Sequence, residues 1–114
     1  MKAILLGGGP IPLSLLQRSI PGGLPVYLTY GLTEMASQVA ASQEAVFDSS
    51  NPRVKVLKYR RLRVSPQREI WVKGPVLFKG YVEKGKIALP LQEGGWFATG
   101  DLGTVDRKGR LSVL

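Results

Sequence analysis

The first apolar run, residues 3–6 (Ala-Ile-Leu-Leu), is short and unbroken, and three glycines follow it at once. A run of that length closed by glycine suits a buried strand that enters a loop. Next comes a segment carrying Leu13, Leu15, Leu16 and Ile20, with Pro12 placed where a helix tolerates proline as its first residue and Pro21-Gly22-Gly23 placed to stop it. The stretch 26–30 (Val-Tyr-Leu-Thr-Tyr) supplies a second strand. Strand, helix, strand at this spacing predicts a βαβ unit with a parallel pair. The loops after its two strands, residues 7–9 and 31–34, then share one rim, where α/β proteins commonly bind ligands.

Beyond Ala45 the pattern changes. A loop cluster at 48–52 (Asp-Ser-Ser-Asn-Pro) precedes short apolar and β-branched runs at 54–57, 62–64, 69–72, 76–81, 86–89, 96–98 and 111–114, each punctuated by glycine, proline or charge. Regular short strands of this kind predict a small antiparallel barrel or sheet. The expected fold is mixed α/β: a βαβ piece of a parallel sheet over residues 1–45, then a small antiparallel β-barrel-like part over residues 46–114.

Composition narrows the chemistry. At 114 residues the chain has room for one domain or part of one. It holds neither cysteine nor histidine, which excludes a disulfide framework, a Cys nucleophile, a Ser-His-Asp triad and a Cys/His zinc site within these residues. Chemistry must rest on Glu, Asp, Lys, Thr and backbone amides. Lys2 ahead of an apolar run imitates a signal peptide, but Gly7-Gly8-Gly9-Pro10 interrupts the run and no small-residue cleavage site follows. No apolar stretch reaches the ~18 residues a bilayer span needs, so a soluble cytoplasmic protein without membrane partners is expected.

The net charge of +8 is lopsided: two basic against three acidic side chains before residue 51, and fourteen against five after it. A basic half suits nucleic acid or a polyanionic small molecule such as a nucleotide. Lys55, Lys58, Arg60, Arg61, Arg63 and Arg68 crowd around Tyr59, a surface that could bind single-stranded nucleic acid or a protein partner. Charges that keep an edge strand from aggregating explain the same cluster, and no nucleic-acid motif accompanies it. Gly80-Tyr-Val-Glu-Lys-Gly85-Lys86 approximates a phosphate-binding P-loop, but Ile87 stands where a magnesium-binding Ser or Thr belongs. A hairpin turn is the better reading.

Three further stretches carry candidate chemistry. The glycines at 7–9 let a backbone approach a flat ligand closely. Gly31-Leu32-Thr33-Glu34 offers a hydroxyl and a carboxylate at a strand end, and Gly100-Asp101 places an acid after a strand, where sugar hydroxyls are often bound. Together, LLGGGPIP at 5–12, YGLTE at 30–34, EIWVKGPVLFKGY at 69–81 and GWFATGDLG at 95–103 resemble, in order and spacing, the adenylate-forming (acyl-CoA synthetase, AMP-binding) superfamily. The likeness covers nearly the whole chain, leaving residues 45–68 without a clear signature. Within the superfamily, TYGLTEMASQV and the short link from Tyr81 to Trp96 look most like the ortho-succinylbenzoate–CoA ligases of menaquinone biosynthesis; medium-chain and aryl acyl-CoA ligases are the alternatives.

The resemblance implies an ATP-dependent ligase that adenylates a carboxylic acid and passes the acyl group to coenzyme A, using magnesium. It implies that Thr33 contacts a nucleotide phosphate, Glu34 helps hold Mg2+, Tyr30 stacks on adenine beside Gly31, and Asp101 bonds the ribose hydroxyls. Gly8 and Gly9 border adenine, and Gly7, Gly8, Gly9, Met35 and Ser37 border the acyl group. The chain lacks the superfamily's Gly/Ser/Thr-rich phosphate loop with its lysine, and it stops at Leu114, just where the hinge to a C-terminal domain would follow. The glycine-rich passage of the superfamily between the YGLTE loop and the barrel is also not visible across 40–52. The 114 residues are therefore expected to be an internal fragment of the large N-terminal domain of such an enzyme, inactive alone.

Overall fold

The parallel pair expected from the first thirty residues is present. β1 (Ile4–Leu6) and β2 (Val26–Leu32) pair in register from Ile4 opposite Val26 to Leu6 opposite Leu28, with α1 (Leu13–Ser19) between them in sequence. The structure, a computed structural model, describes residues 3–9, 13–43 and 53–114; Pro12 and the loop cluster at 48–52 lie outside the described residues. α1 ends as its Pro-Gly-Gly tail predicts. Leu24 N donates to Ser19 O and Gly23 N to Ile20 O, the paired bonds of a Schellman cap, with Gly23 at φ 76 in the left-handed conformation that glycine adopts without a Cβ penalty.

β2 continues past the expected Tyr30 to Leu32, and its alternate residues Val26, Leu28 and Tyr30 are buried. After a 3-10 turn, Thr33–Met35, the chain returns as β3 (Ser37–Ala41), antiparallel to β2. β4 (Val54–Val56) pairs with β3, and β5 (Arg61–Val64), β6 (Glu69–Lys73), β9 (Phe97–Val105) and β10 (Arg110–Val113) complete one eight-stranded sheet in the order β1-β2-β3-β4-β10-β9-β6-β5. β7 (Tyr81–Glu83) and β8 (Lys86–Ala88) form a separate two-stranded hairpin. Lys84 (φ 49) and Gly85 (φ 76) both take positive φ in its two-residue turn, the geometry that matches strand twist. The hairpin reading of 80–86 holds and the P-loop reading falls.

Three expectations need correction. No closed barrel forms among the described residues: β1 and β5 end the sheet on opposite sides and do not meet, so the antiparallel strands extend the parallel pair as an open sheet. The run 76–81 is not a strand except for its last residue, Tyr81, which begins β7; Gly74 (φ 147) before it and Gly80 (φ 136) within it turn the chain, and Val76, Leu77 and Phe78 pack from a loop against the core. β9 is longer than 96–98, running through the glycines to Val105. The core gathers Val26, Leu28, Met35, Val39, Ala40, Ile70, Val72, Phe97 and Leu111, so residues from both sequence segments bury one another. Among the described residues, no helix is long and apolar enough to cross a membrane.

Candidate functional site

Where β1 ends, the backbone passes so close to β2 that a Cβ at Gly7 would collide with Thr29 Oγ1, and that hydroxyl donates to Leu6 O at 3.2 Å. The chain then turns at Gly8, φ 85, toward the space beyond the strand ends. A cavity of about 400 Å3 opens there, lined by Gly8, Gly9, Thr29, Tyr30, Gly31 and Asp101, with apolar walls from Leu16, Leu28, Val54, Leu111, Val113 and Leu114. That size and mixture of a few polar groups on apolar walls suit a small ligand. The shared rim expected for 7–9 and 31–34 is realised for Gly8, Gly9 and Gly31.

Asp101 reaches the cavity because β9 is bulged. Glu69 pairs with Leu102 and Trp71 with Ala98, which leaves more residues on β9 than on β6 and turns the 99–101 segment out of register. Thr99 Oγ1 donates to Ile70 O (2.7 Å) and accepts from Asp101 N (3.1 Å), while Gly100 N, at φ 81, donates to Glu69 Oε2 (2.9 Å). These bonds fix the loop that presents the aspartate. Tyr30 Oη donates to Asp101 Oδ2 at 2.7 Å. Burial of the ring, with the aspartate carboxylate beside it, pushes the Tyr30 phenol well above its ordinary 10.0, so it stays protonated and remains a donor. Among the described residues no side-chain hydrogen bond to the other Asp101 oxygen, Oδ1, is present, which leaves it for a ligand hydroxyl.

The second polar group lies beside the cavity, not in it. Thr33 is exposed and Glu34 half-buried in the 3-10 turn, and neither lines the cavity wall. Tyr81 Oη donates to Glu34 Oε2 at 2.8 Å, and Phe78 N donates to the Glu34 carbonyl at 2.6 Å. That side-chain bond to the carboxylate raises the Tyr81 phenol above its ordinary value. Ala36 (φ 56) and Ser37 (φ 91) hold left-handed backbone just after the turn, a strain that clusters at ligand loops. Met35 is wholly buried in the core and does not line the cavity, Ser37 is exposed and paired with Leu32, and Gly7 stands behind Gly8 at the rim. Thr29, Thr99 and Tyr81 were not singled out from sequence. Tyr81 sits at the end of the third matched motif, which was its only signal.

Among the described residues no group of three or more His, Cys, Asp or Glu could cage a metal. A lone carboxylate such as Glu34 fits an ion that takes the rest of its shell from water and phosphate oxygens, the habit of magnesium. The basic cluster is partly spent on the fold. Arg60 donates to Gln38 O and Lys58 O, and the Arg63 guanidinium lies 4.8 Å from the Trp71 ring centre and 4.7 Å from that of Trp96, while Tyr59 stands 74% exposed.

No protein-family model matches the chain. It is 40% identical over 123 residues to a 2-succinylbenzoate–CoA ligase of Geobacillus sp. (strain WCH70), covering 99% of this chain and 25% of that protein. It superposes on o-succinylbenzoate CoA synthetase (MenE) of Bacillus subtilis in complex with the acyl-adenylate intermediate OSB-AMP, with TM-score 0.80 and 34% identity, covering 100% of this chain and 26% of that one. The same enzyme in complex with ATP and magnesium ion gives TM-score 0.72 and 34% identity, over 98% of this chain and 26% of that one. The chain thus spans about a quarter of the length of the curated relatives it matches. The alignment is also longer than the 114 residues themselves, so the relative carries insertions that this chain lacks.

Proposed function

The chain is homologous along its whole length to one segment of the o-succinylbenzoate–CoA ligases of the AMP-binding superfamily, and from that premise we propose that it builds part of the adenylate site of an ATP-dependent acyl-CoA ligase. The acid is ortho-succinylbenzoate, the thiol is coenzyme A, and the pathway is menaquinone biosynthesis, a cytoplasmic chemistry. One observation carries this reading: Gly8, Gly9, Tyr30, Gly31 and Asp101, five residues from three separate motifs of the chain, line a single cavity of about 400 Å3.

The mechanism assigns each residue a physical task. Asp101 accepts hydrogen bonds from the ribose diol through Oδ1 while Tyr30 holds the other oxygen, which fixes the carboxylate plane before the ligand arrives. The Tyr30 ring offers an adenine-sized apolar face, and Gly8, Gly9 and Gly31 leave room for a flat group. Thr33 presents a hydroxyl to phosphate oxygens. Glu34 would hold magnesium through a carboxylate oxygen, and the ion would supply positive charge near the pyrophosphate that the acid's carboxylate displaces from the α-phosphorus. Gly7, Gly8, Gly9, Met35 and Ser37 shape the acyl side, Met35 from the core behind the loop. Residues 1–45 carry the nucleotide loops and residues 46–114 carry the aspartate and the antiparallel support, as a piece of the large domain of such an enzyme.

Amide NMR spectra of the labelled chain, titrated with AMP and then with a stable analogue of ortho-succinylbenzoyl adenylate, test the proposal. Shifts are expected at Gly8, Gly9, 30–34 and Asp101, with the analogue saturating at lower concentration than AMP. A well-dispersed spectrum in which these residues do not move refutes a nucleotide site in this cavity. The 114 residues alone are expected to turn over no ATP, because no phosphate-loop lysine is present to stabilise the transition-state charge.

A further inference from the structure

We propose that Tyr81 is a positioning residue for Glu34: its hydroxyl takes one carboxylate oxygen and so aims the other, Oε1, at a phosphate-bound divalent cation. This rests on the reading of Glu34 given above. Tyr81 Oη donates to Glu34 Oε2 at 2.8 Å, and no other side-chain bond to that carboxylate is present among the described residues, so Oε1 keeps its lone pairs. A carboxylate on a flexible glutamate otherwise samples several rotamers, and each must be given up when it binds a cation.

What makes the contact more than an incidental surface bond is how Tyr81 itself is held. The hairpin β7–β8 is outside the main sheet and the residues of β7 are exposed. Its root is nevertheless pinned from two sides. The Tyr81 ring packs edge-on against Phe78 (centroids 4.7 Å apart, 72°), and Phe78 packs edge-on against Phe97 of the core (5.5 Å, 76°). The Phe78 amide binds the Glu34 carbonyl at 2.6 Å. Gly80, at φ 136, bends the chain where a Cβ would collide with the Ala88 carbonyl and Ile87. An aromatic ladder therefore runs from the core to the phenol, and both the backbone and the side chain of Glu34 are tied to it. A residue recruited only to hold the hairpin would not need its hydroxyl on this carboxylate.

Tyr81→Phe keeps the ring contact and removes only the hydroxyl. Two readouts decide. Three-bond couplings of the Glu34 side chain are expected to report one rotamer in the wild-type chain and averaging in Y81F. Paramagnetic broadening of the Thr33 and Glu34 amides by Mn2+-ATP is expected to need a three- to tenfold higher concentration in Y81F, while metal-free AMP titrates both chains alike. Unchanged couplings, or equal Mn2+-ATP half-points with Glu34 broadened in both chains, overturn the proposal. Averaging in Y81F with no broadening at Glu34 in either chain overturns the magnesium assignment and upholds the positioning contact.

Discussion

Gly31→Ala puts the tightest backbone contact of the site to the test. β2 and β3 slip register between Tyr30 and Gly31, and a Cβ at Gly31 would run into the carbonyl of Ser37, with Gln38 Cα 3.0 Å away. All the atoms it meets are main chain, so no rotamer change relieves the clash. Overpacking that side chains can absorb costs about 1–3 kcal/mol. Here relief means opening the pairs Gly31–Gln38 and Leu32–Ser37, at about 1 kcal/mol for each hydrogen bond lost. Ala36 and Ser37 already hold left-handed φ and have little freedom left to yield. The alanine restricts the unfolded chain, which returns only ~0.4–1 kcal/mol. The expected net loss is about 3 kcal/mol, read as a fall in the urea midpoint of at least ~1 M for slopes of ~1–3 kcal/mol/M. Gly9→Ala is the matched control: it lines the same cavity, yet its Cβ meets nothing within 4 Å. It should leave the midpoint unchanged or slightly raised while weakening AMP. A G31A midpoint within ~0.3 M of wild type would refute the reasoning, since two independent costs would then be missing.

Asp101→Asn should weaken AMP by roughly 10- to 100-fold in calorimetric titration, the cost of a lost charge-assisted bond to the ribose, and should barely move the melting temperature because Asp101 is exposed; unchanged affinity would exclude its ribose role. Asp106 accepts from Arg110 N and Lys108 N on one oxygen and from Arg53 and Arg110 side chains on the other. Chiefly through the Arg110 backbone bond, these partners hold its carboxyl below its ordinary 3.8. A depressed folded value means that the unfolded chain binds the proton first. The stabilisation is therefore complete above pH 3.8 and is lost as pH falls through the lower folded value. Acid titration of stability should be shallower below that pH in Asp106→Asn than in wild type; equal slopes would deny the network its role.

Much of this was legible along the chain, for reasons that differ by element. β1, α1 and β2 are local: apolar runs closed by glycine, and a proline-glycine stop that the Schellman cap at Gly23 realises. β3 escaped notice because Ser-Gln-Val-Ala-Ala carries a single β-branched residue, and it becomes a strand only through partners on β2 and β4. The run 76–81 has strand composition, but Gly74 before it and Gly80 within it take positive φ, so Val76, Leu77 and Phe78 serve the core from a loop. In β9 the opposite happened: Gly100, which the sequence places just after a strand, lies inside a bulged one. At the site, the shared rim followed from chain order alone. The Tyr30–Asp101 and Tyr81–Glu34 bonds did not, because each joins residues more than forty positions apart.

The arginine sandwiched between indoles has an optical consequence. The chain contains two tryptophans, and both, Trp71 and Trp96, flank the Arg63 guanidinium, with none in the lining of the cavity. Indole emission from this protein therefore comes from one place, the β5–β6 end of the sheet, and reports whether that corner is assembled. A nucleotide entering beside Tyr30 leaves that emission dark to the event, and the quantum yield that a ligand changes here belongs to tyrosine.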